Sequence, residues 1–241
     1  MEISFLLKEV ITCGAVLSTF ELVEALRKSG ISAKIVSDFN NEELEDYFNI
    51  QIEREATGTT IAVSPKCEAE WAYVRTRDDR WLTHKSKKIA VSDFIRNWLE
   101  FHGQKVQAVI GNGTHERFYD MGLERDIDVL IVGNYEANKN IEETVNKAKQ
   151  IGGRKIVWFG RSTQPMPGVQ HLNSPYISEI PKIYNRAKVF ISASKEEGWG
   201  RPVAEAMACG VPEVINENGG NKEIEVVSWE SIAKSFTKQI C

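Results

Sequence analysis

An α/β protein with two doubly wound, parallel-sheet halves is what the sequence predicts. Short aliphatic and β-branched runs alternate along the chain with amphipathic helical stretches, the pattern of βαβ units with parallel strands. Glycine and proline punctuate those stretches where helices are expected to start and stop. The length of 241 residues suits one large or two small domains.

In the first half, strands are expected at 3–10, 32–37, 59–64, 72–75, 89–92 and 106–110. A loop with Cys13 and Gly14 follows the first of them. Ser18 with Glu21 has capping-box spacing, so a helix is expected to open there and stop at Gly30. Shorter helices are expected at 42–48 and 93–99. Asp126 to Val132 begins a second series. Asn140 with Glu143 again has capping spacing before a helix through Gln150, which Gly152-Gly153 breaks. Strands at 156–159, 189–192 and 211–215 follow. Helices are expected at 177–186, between Pro202 and Gly210, and at 228–239. The halves divide into domains 1–121 and 122–241.

Composition narrows the function. The chain is 42% hydrophobic, 27% charged and 9% aromatic, which excludes disorder, collagen-like repeats and coiled coil. Residues 1–121 hold 15 Lys and Arg against 19 Asp and Glu, and the remainder 15 against 15. Neither half is basic enough for a nucleic-acid binder. Cys13, Cys67, Cys209 and Cys241 show no CxxC spacing and no nearby His pair, so neither zinc nor a disulfide framework is expected. No apolar run approaches the roughly 20 residues of a membrane span, and the N-terminus lacks a basic leader. A cytoplasmic protein is expected.

Chemistry concentrates in Ser194-Lys-Glu-Glu-Gly-Trp-Gly-Arg-Pro-Val-Ala-Glu-Ala-Met-Ala-Cys-Gly-Val-Pro212. A strand ends there and a loop punctuated by Gly198 and Gly200 leads into a helix N-terminus, where backbone N–H groups and the helix dipole favour a phosphate. Glu197 and Glu205, eight apart, can face one crevice. Two carboxylates beside an anion site suit a ligand that also presents hydroxyls, as a nucleotide sugar does. The plainer readings are a solvated loop charge for Glu197 and, for Glu205, a complement to the helix dipole worth about 0.3–1 kcal/mol.

With its flanks this segment resembles the Glu-x7-Glu signature of retaining GT-B glycosyltransferases of family 4, the glycosyl transferases group 1. Four other pieces match in the same order: Ile89-Ala-Val-Ser-Asp-Phe, Val109-Ile-Gly-Asn-Gly-Thr-His-Glu-Arg-Phe118, Val132-Gly-Asn-Tyr-Glu-Ala-Asn-Lys139-Asn and Asn218-Gly-Gly-Asn-Lys-Glu223. The likeness spans 89–233; over 1–88 it is topological apart from the Gly14 loop. It implies a compact GT-B fold, two Rossmann-like domains facing across a cleft, and transfer of a sugar from a UDP- or GDP-sugar with retention at the anomeric carbon.

The resemblance also implies roles. Glu205 would hydrogen-bond the ribose, and Glu197 would touch the donor sugar. The backbone of Gly198, Trp199 and Gly200 would meet the sugar or diphosphate. Lys139 would neutralise the phosphates, so Glu197 and Lys139 are the catalytic candidates. A lysine about 4 Å from a phosphate oxygen gains roughly 4 kcal/mol before desolvation at an effective dielectric near 20. Family members usually need no metal, and no cofactor beyond the donor is implied. Gly14 would approach the diphosphate across the cleft. Tyr176 falls where the family's chain passes the nucleobase, with core packing as the plainer alternative.

Several features depart from the family. Asn134 stands where a second phosphate cation, an arginine, is common; Arg201 or Arg161 could substitute. No histidine among His84, His102, His115 and His171 matches the one often found near the transferred sugar. The first domain is reduced, and the C-terminal helix that crosses back in the family is absent or abbreviated. Arg75, Arg77, Arg80, Lys85, Lys87 and Lys88, interleaved with Tyr73 and Trp81, read as a solvated face or as a site for an anionic acceptor or phospholipid headgroups at the inner face of a membrane. Asp126-Ile-Asp128 has the spacing of an Asp-x-Asp metal motif but begins a buried strand. The acceptor, whether sugar, lipid or protein, is not legible; a homo-oligomer is a further expectation. The rival readings are a non-catalytic nucleotide-sugar-binding subunit and another GT-B chemistry such as epimerisation.

Overall fold

The computed structural model describes every residue except 165, 221, 223 and 241, so the expectations on Asn221, Glu223 and Cys241 fall outside the described residues. The chain forms two compact units, Met1–His115 with the segment from Val227 onward, and Glu116–Val226.

The first unit is a parallel sheet in the order β3-β2-β1-β4-β5-β6-β7. Its strands are β1 (Glu2–Leu6), β2 (Ser32–Val36), β3 (Ile52–Glu53), β4 (Thr59–Ala62), β5 (Trp71–Val74), β6 (Lys87–Ala90) and β7 (Val106–Val109). Three helices follow in sequence: α1 (Gly14–Lys28), α2 (Glu42–Phe48) and α3 (Asp93–Phe101). Asn41 caps α2 by accepting from Leu44 N, and Ser92 caps α3 by accepting from Ile95 N. β3 was not foreseen, because a two-residue edge pairing has no readable periodicity.

Two helices of this unit depart from expectation. First, α1 opens at Gly14, not at Ser18. The Ser18 and Glu21 side chains are buried inside the helix and serve other partners: Ser18 Oγ donates to Gly14 O at 2.8 Å, and Glu21 Oε2 accepts from Trp229 Nε1 at 3.0 Å. Second, the helix expected at 228–239 forms as α7 (Trp229–Ile240) but belongs to the first compact unit rather than to the second half. Trp229 lies on Gly113, where an added Cβ would come within 2.6 Å of the indole. Phe236 packs on Phe5 and Tyr73 with centroids 5.9 and 5.1 Å apart. Helical periodicity identifies an apolar face but not which sheet that face covers.

The cationic stretch does not form one solvated face. Arg75 is buried, with Nη1 donating to Ala15 O at 2.5 Å and Thr19 Oγ1 at 2.9 Å. Lys88 is buried too, donating to His84 O and Ser86 O. Arg80 pairs with Asp78, and Lys87 with Glu70. The histidines each have a partner within their own unit: His84 with Cys67 O, His102 with Trp98 O, His115 with Glu24, and His171 with Gly160 O.

The second unit is a parallel sheet in the order β10-β9-β8-β11-β12. It comprises β8 (Ile127–Val132), α4 (Ile141–Gln150), β9 (Ile156–Phe159), β10 (Val169–Leu172), α5 (Ile180–Asn185), β11 (Ala187–Ser192), α6 (Arg201–Ala208) and β12 (Glu213–Asn216). Leu130, Val157, Tyr184 and Phe190 pack on one side of the sheet, and Ile131, Trp158 and Ile191 pack with α4 residues on the other. Pro181 sits in the first turn of α5, so the helix starts there and not at 177. The Asn140 side chain does not accept from the α4 backbone as its spacing suggested; the residue is left-handed (φ 54°), and its amide donates to Glu143 Oε2 at 2.7 Å.

At the N-terminal end of β8 the Asp-x-Asp pair is enclosed by cations. Asp126 accepts from Arg186 Nε and Nη2, each at 2.7 Å, and from Lys155. Asp128 accepts from Lys188 at 2.8 Å and from the backbone of Arg154 and Lys155. The Arg186 guanidinium holds the Asp126 carboxyl well below its usual range, and Lys188 holds that of Asp128 down to about 2. A depressed folded-state pKa stabilises above the unfolded value, and that stability is lost as pH falls through the folded value. Acid titration from pH 4 toward 2 is therefore expected to lower the melting temperature less steeply in the Asp126→Asn, Asp128→Asn double variant than in the wild type, as followed by circular dichroism.

Candidate active site

In open α/β sheets ligands collect beyond the carboxyl ends of the strands where the strand order reverses. In the second unit that point lies between β8 and β11, and the predicted loops leave the sheet there. Lys195 N donates to Asn138 O at 2.7 Å, joining the two loops. Beside this bond Lys139 Nζ donates to Glu197 Oε1 at 2.5 Å. The two side chains retain 23% and 16% of their accessible surface, enough to be reached from solvent. The structure thus brings together the two catalytic candidates from loops 58 residues apart.

The Gly219-Gly220 turn backs the Glu197 loop. A Cβ on Gly219 would lie 1.8 Å from Lys195 O, and one on Gly220 2.3 Å from Glu197 O. Only residues without side chains allow this approach. Asn218, fully buried, accepts from Ser192 Oγ at 2.7 Å and fixes the turn to the end of β11.

Gly198 and the half-buried Trp199 continue the loop to Gly200, which precedes the first turn of α6. One turn into the helix, Glu205 is 8% exposed. Its Oε1 accepts from Arg201 Nε at 2.9 Å and Nη2 at 2.8 Å, and its Oε2 from the Tyr184 hydroxyl at 2.9 Å. Burial, with the neighbouring Glu205 charge, pushes the Tyr184 phenol well above its ordinary pKa, so it remains a donor at any working pH. Burial also raises the Cys209 thiol to about 12, which excludes it as a nucleophile.

Asn134 joins neighbouring loops: its Oδ1 accepts from Arg161 N at 3.0 Å and its amide donates to Glu136. Arg161 lines an open groove of about 500 Å³ with Tyr135, Ser162, Thr163, Gln164, Asn173 and Ser174. Tyr176 follows that segment and is 74% exposed, so the core-packing reading does not hold for it. Gly14 belongs to the first unit, where it is the first residue of α1 with open space around its Cβ position. Sequence reasoning missed Tyr184 and gave Asn218 only as part of the Gly219-Gly220 turn. Tyr184 reads as one more apolar-face residue of a helix, and no spacing relates it to Glu205.

Known proteins similar to this chain bear on its fold. Residues 120–228 match the sequence profile of the family Glycosyl transferases group 1. An uncharacterized glycosyltransferase of Methanocaldococcus jannaschii is 24% identical over 162 residues, which are 62% of this chain and 45% of that one. Spore coat protein SA of Bacillus subtilis is 22% identical over 160 residues, 63% of this chain and 40% of that one. The matched part therefore spans less than half the length of these curated relatives. Among solved structures, Anabaena HepE in complex with UDP-glucose superposes with a TM-score of 0.73 at 15% identity, covering 99% of this chain and 89% of that one. A glycosyltransferase involved in Avilamycin A biosynthesis gives 0.71 at 12%, covering 99% and 97%. The fold is that of GT-B glycosyltransferases. Among the described residues, no helix is long and apolar enough to cross a membrane.

Proposed function

We propose that this chain is a glycosyltransferase that moves a sugar from a UDP- or GDP-linked donor to an acceptor with retention of anomeric configuration. The observation that carries the reading is the Lys139–Glu197 pair at the switch point of the second sheet, in the loop that leads into α6, whose buried Glu205 is held by Tyr184. Three chemistries that a nucleotide sugar needs are then adjacent: a cation for the diphosphate, a carboxylate for sugar hydroxyls and a second carboxylate for the ribose.

In this reading the diphosphate lies against Lys139 and the N-terminal backbone of α6 at Gly198, Trp199 and Gly200, where the helix dipole favours its charge. Arg201 supplies the further positive charge that Asn134 does not. As the glycosidic bond breaks, charge accumulates on the departing diphosphate, and a preorganised cation lowers the barrier because it binds that state best. Glu197 orients the sugar. The ribose reaches Glu205, and the groove beside Arg161 and Tyr176 receives the nucleobase. No metal is required, since side-chain cations take its place. The expected compartment is the cytoplasm. A non-catalytic nucleotide-sugar-binding subunit is the second reading, favoured by Asn134 at the arginine position.

A thermal-shift screen of UDP-, GDP-, ADP-, CMP- and dTDP-sugars tests the binding step on wild type and Glu205→Ala. A ligand at 100 times its dissociation constant adds about 2.7 kcal/mol, roughly a 5–10 °C rise for a chain of this size. One nucleotide class is expected to give that rise, and Glu205→Ala to lose it. A flat response to every donor would sink the proposal. Release of free nucleotide from the selected donor separates an enzyme from a binding subunit. NMR of the product's anomeric proton separates retention from inversion.

A further inference from the structure

We propose that Tyr184 and Arg201 form a clamp that presets the side chain of Glu205 and thereby determines how strictly the site selects a ribose over a deoxyribose. This rests on the donor-site reading above and adds to it the residues that give Glu205 its selectivity.

The geometry divides the carboxylate between two holders. Arg201 places both Nε and Nη2 on Oε1, filling that oxygen's two acceptor sites, while the Tyr184 hydroxyl takes one of the two sites on Oε2. One acceptor site on Oε2 remains. The holders lie on different elements, Tyr184 on α5 and Arg201 one turn before Glu205 on α6. A carboxylate held from two elements has lost its rotamer freedom before any ligand arrives, so a hydroxyl that pairs with it does not have to order it.

Burial explains why such a device selects. Tyr184 is fully buried among Phe118, Phe159 and Phe190, with ring centroids 5.7 to 5.9 Å away. It cannot follow Glu205 outward. The side chains of Arg201 and Glu205 keep only 11% and 10% of their surface. A deoxyribose would cover the remaining Oε2 site without supplying a donor, and sites built to bond a hydroxyl reject analogues lacking it far more strongly than apolar pockets reject a missing methylene. A clamped carboxylate cannot turn away to recover that bond elsewhere; a loose one can.

Tyr184→Phe removes the hydroxyl and keeps the ring. Dissociation constants for UDP, GDP and their 2′-deoxy and 3′-deoxy analogues are measured by calorimetry on wild type, Tyr184→Phe, Arg201→Gln and Glu205→Gln, with melting temperatures alongside. Wild type is expected to prefer the ribonucleotide by tenfold or more over at least one deoxy analogue. Tyr184→Phe is expected to cut that preference at least threefold, chiefly by weakening the ribonucleotide. Arg201→Gln, at the edge of the site, should do the same, so the test survives an unstable phenylalanine variant. A purely structural hydroxyl would lower the melting temperature and leave the ratio unchanged, and full discrimination in both variants overturns the inference. If wild type binds a diphosphate without discriminating, the clamp is overturned and the nucleotide-binding reading stands. If wild type binds neither diphosphate, both fall.

Discussion

Replacing Lys139 by methionine is expected to slow nucleotide release from the bound donor by about two to three orders of magnitude, the loss typical when one preorganised electrostatic group is removed from an active site. Three decades correspond to about 4 kcal/mol of barrier, close to the attraction between unit charges about 4 Å apart at an effective dielectric near 20. The lysine acts on charge that grows as the sugar leaves, so kcat is expected to fall more than KM rises. Stability should change little, because the two loops stay joined by the backbone bond from Lys195 N to Asn138 O when the partly exposed Lys139–Glu197 pair is lost. Lys139→Arg should restore part of the rate. Wild-type release by Lys139→Met would reduce the lysine to a counterion for Glu197, the partner it meets at 2.5 Å.

The loop geometry of the second unit was more legible in the sequence than the assembly of the first unit, for a physical reason. Loop chemistry is local: glycines at 198 and 200, Pro202 in a first helical turn and two carboxylates eight apart constrain the backbone within one segment, and the structure keeps that arrangement. Partners distant in sequence leave no such trace. Ser18 and Glu21 have capping spacing, yet Glu21 meets Trp229, 208 positions away. The same blindness hid Tyr184, which reaches Glu205 from another helix, and the destination of α7. Arg75 and Lys88 looked like members of an exposed charge run; a backbone carbonyl of α1 and one of the loop before β6 accept their hydrogen bonds inside the first unit.

Gly219→Ala is expected to abolish the donor-induced thermal shift and to destabilise the second unit by about 1–3 kcal/mol, the usual cost of forcing extra atoms into a packed contact. The added methyl would lie 1.8 Å from Lys195 O, far inside van der Waals contact, so something must move. The turn itself is poorly placed to yield. Gly219 N donates to Ser194 O at 2.9 Å, Glu217 N donates to Ser192 O at 2.8 Å, and Asn218 is fully buried on Ser192. Relief therefore falls on the loop from Lys195 to Glu197, and with it on the Lys139–Glu197 pair. A change with no contact to the donor would then cost binding through misplacement alone, since displacements near 1 Å are enough to spoil a reactive geometry. Differential scanning fluorimetry with and without the selected sugar nucleotide reads both effects. A stable variant that still shows the full ligand shift would mean that the turn gives way, and that the close approach of Gly219 is not what holds Glu197 in place.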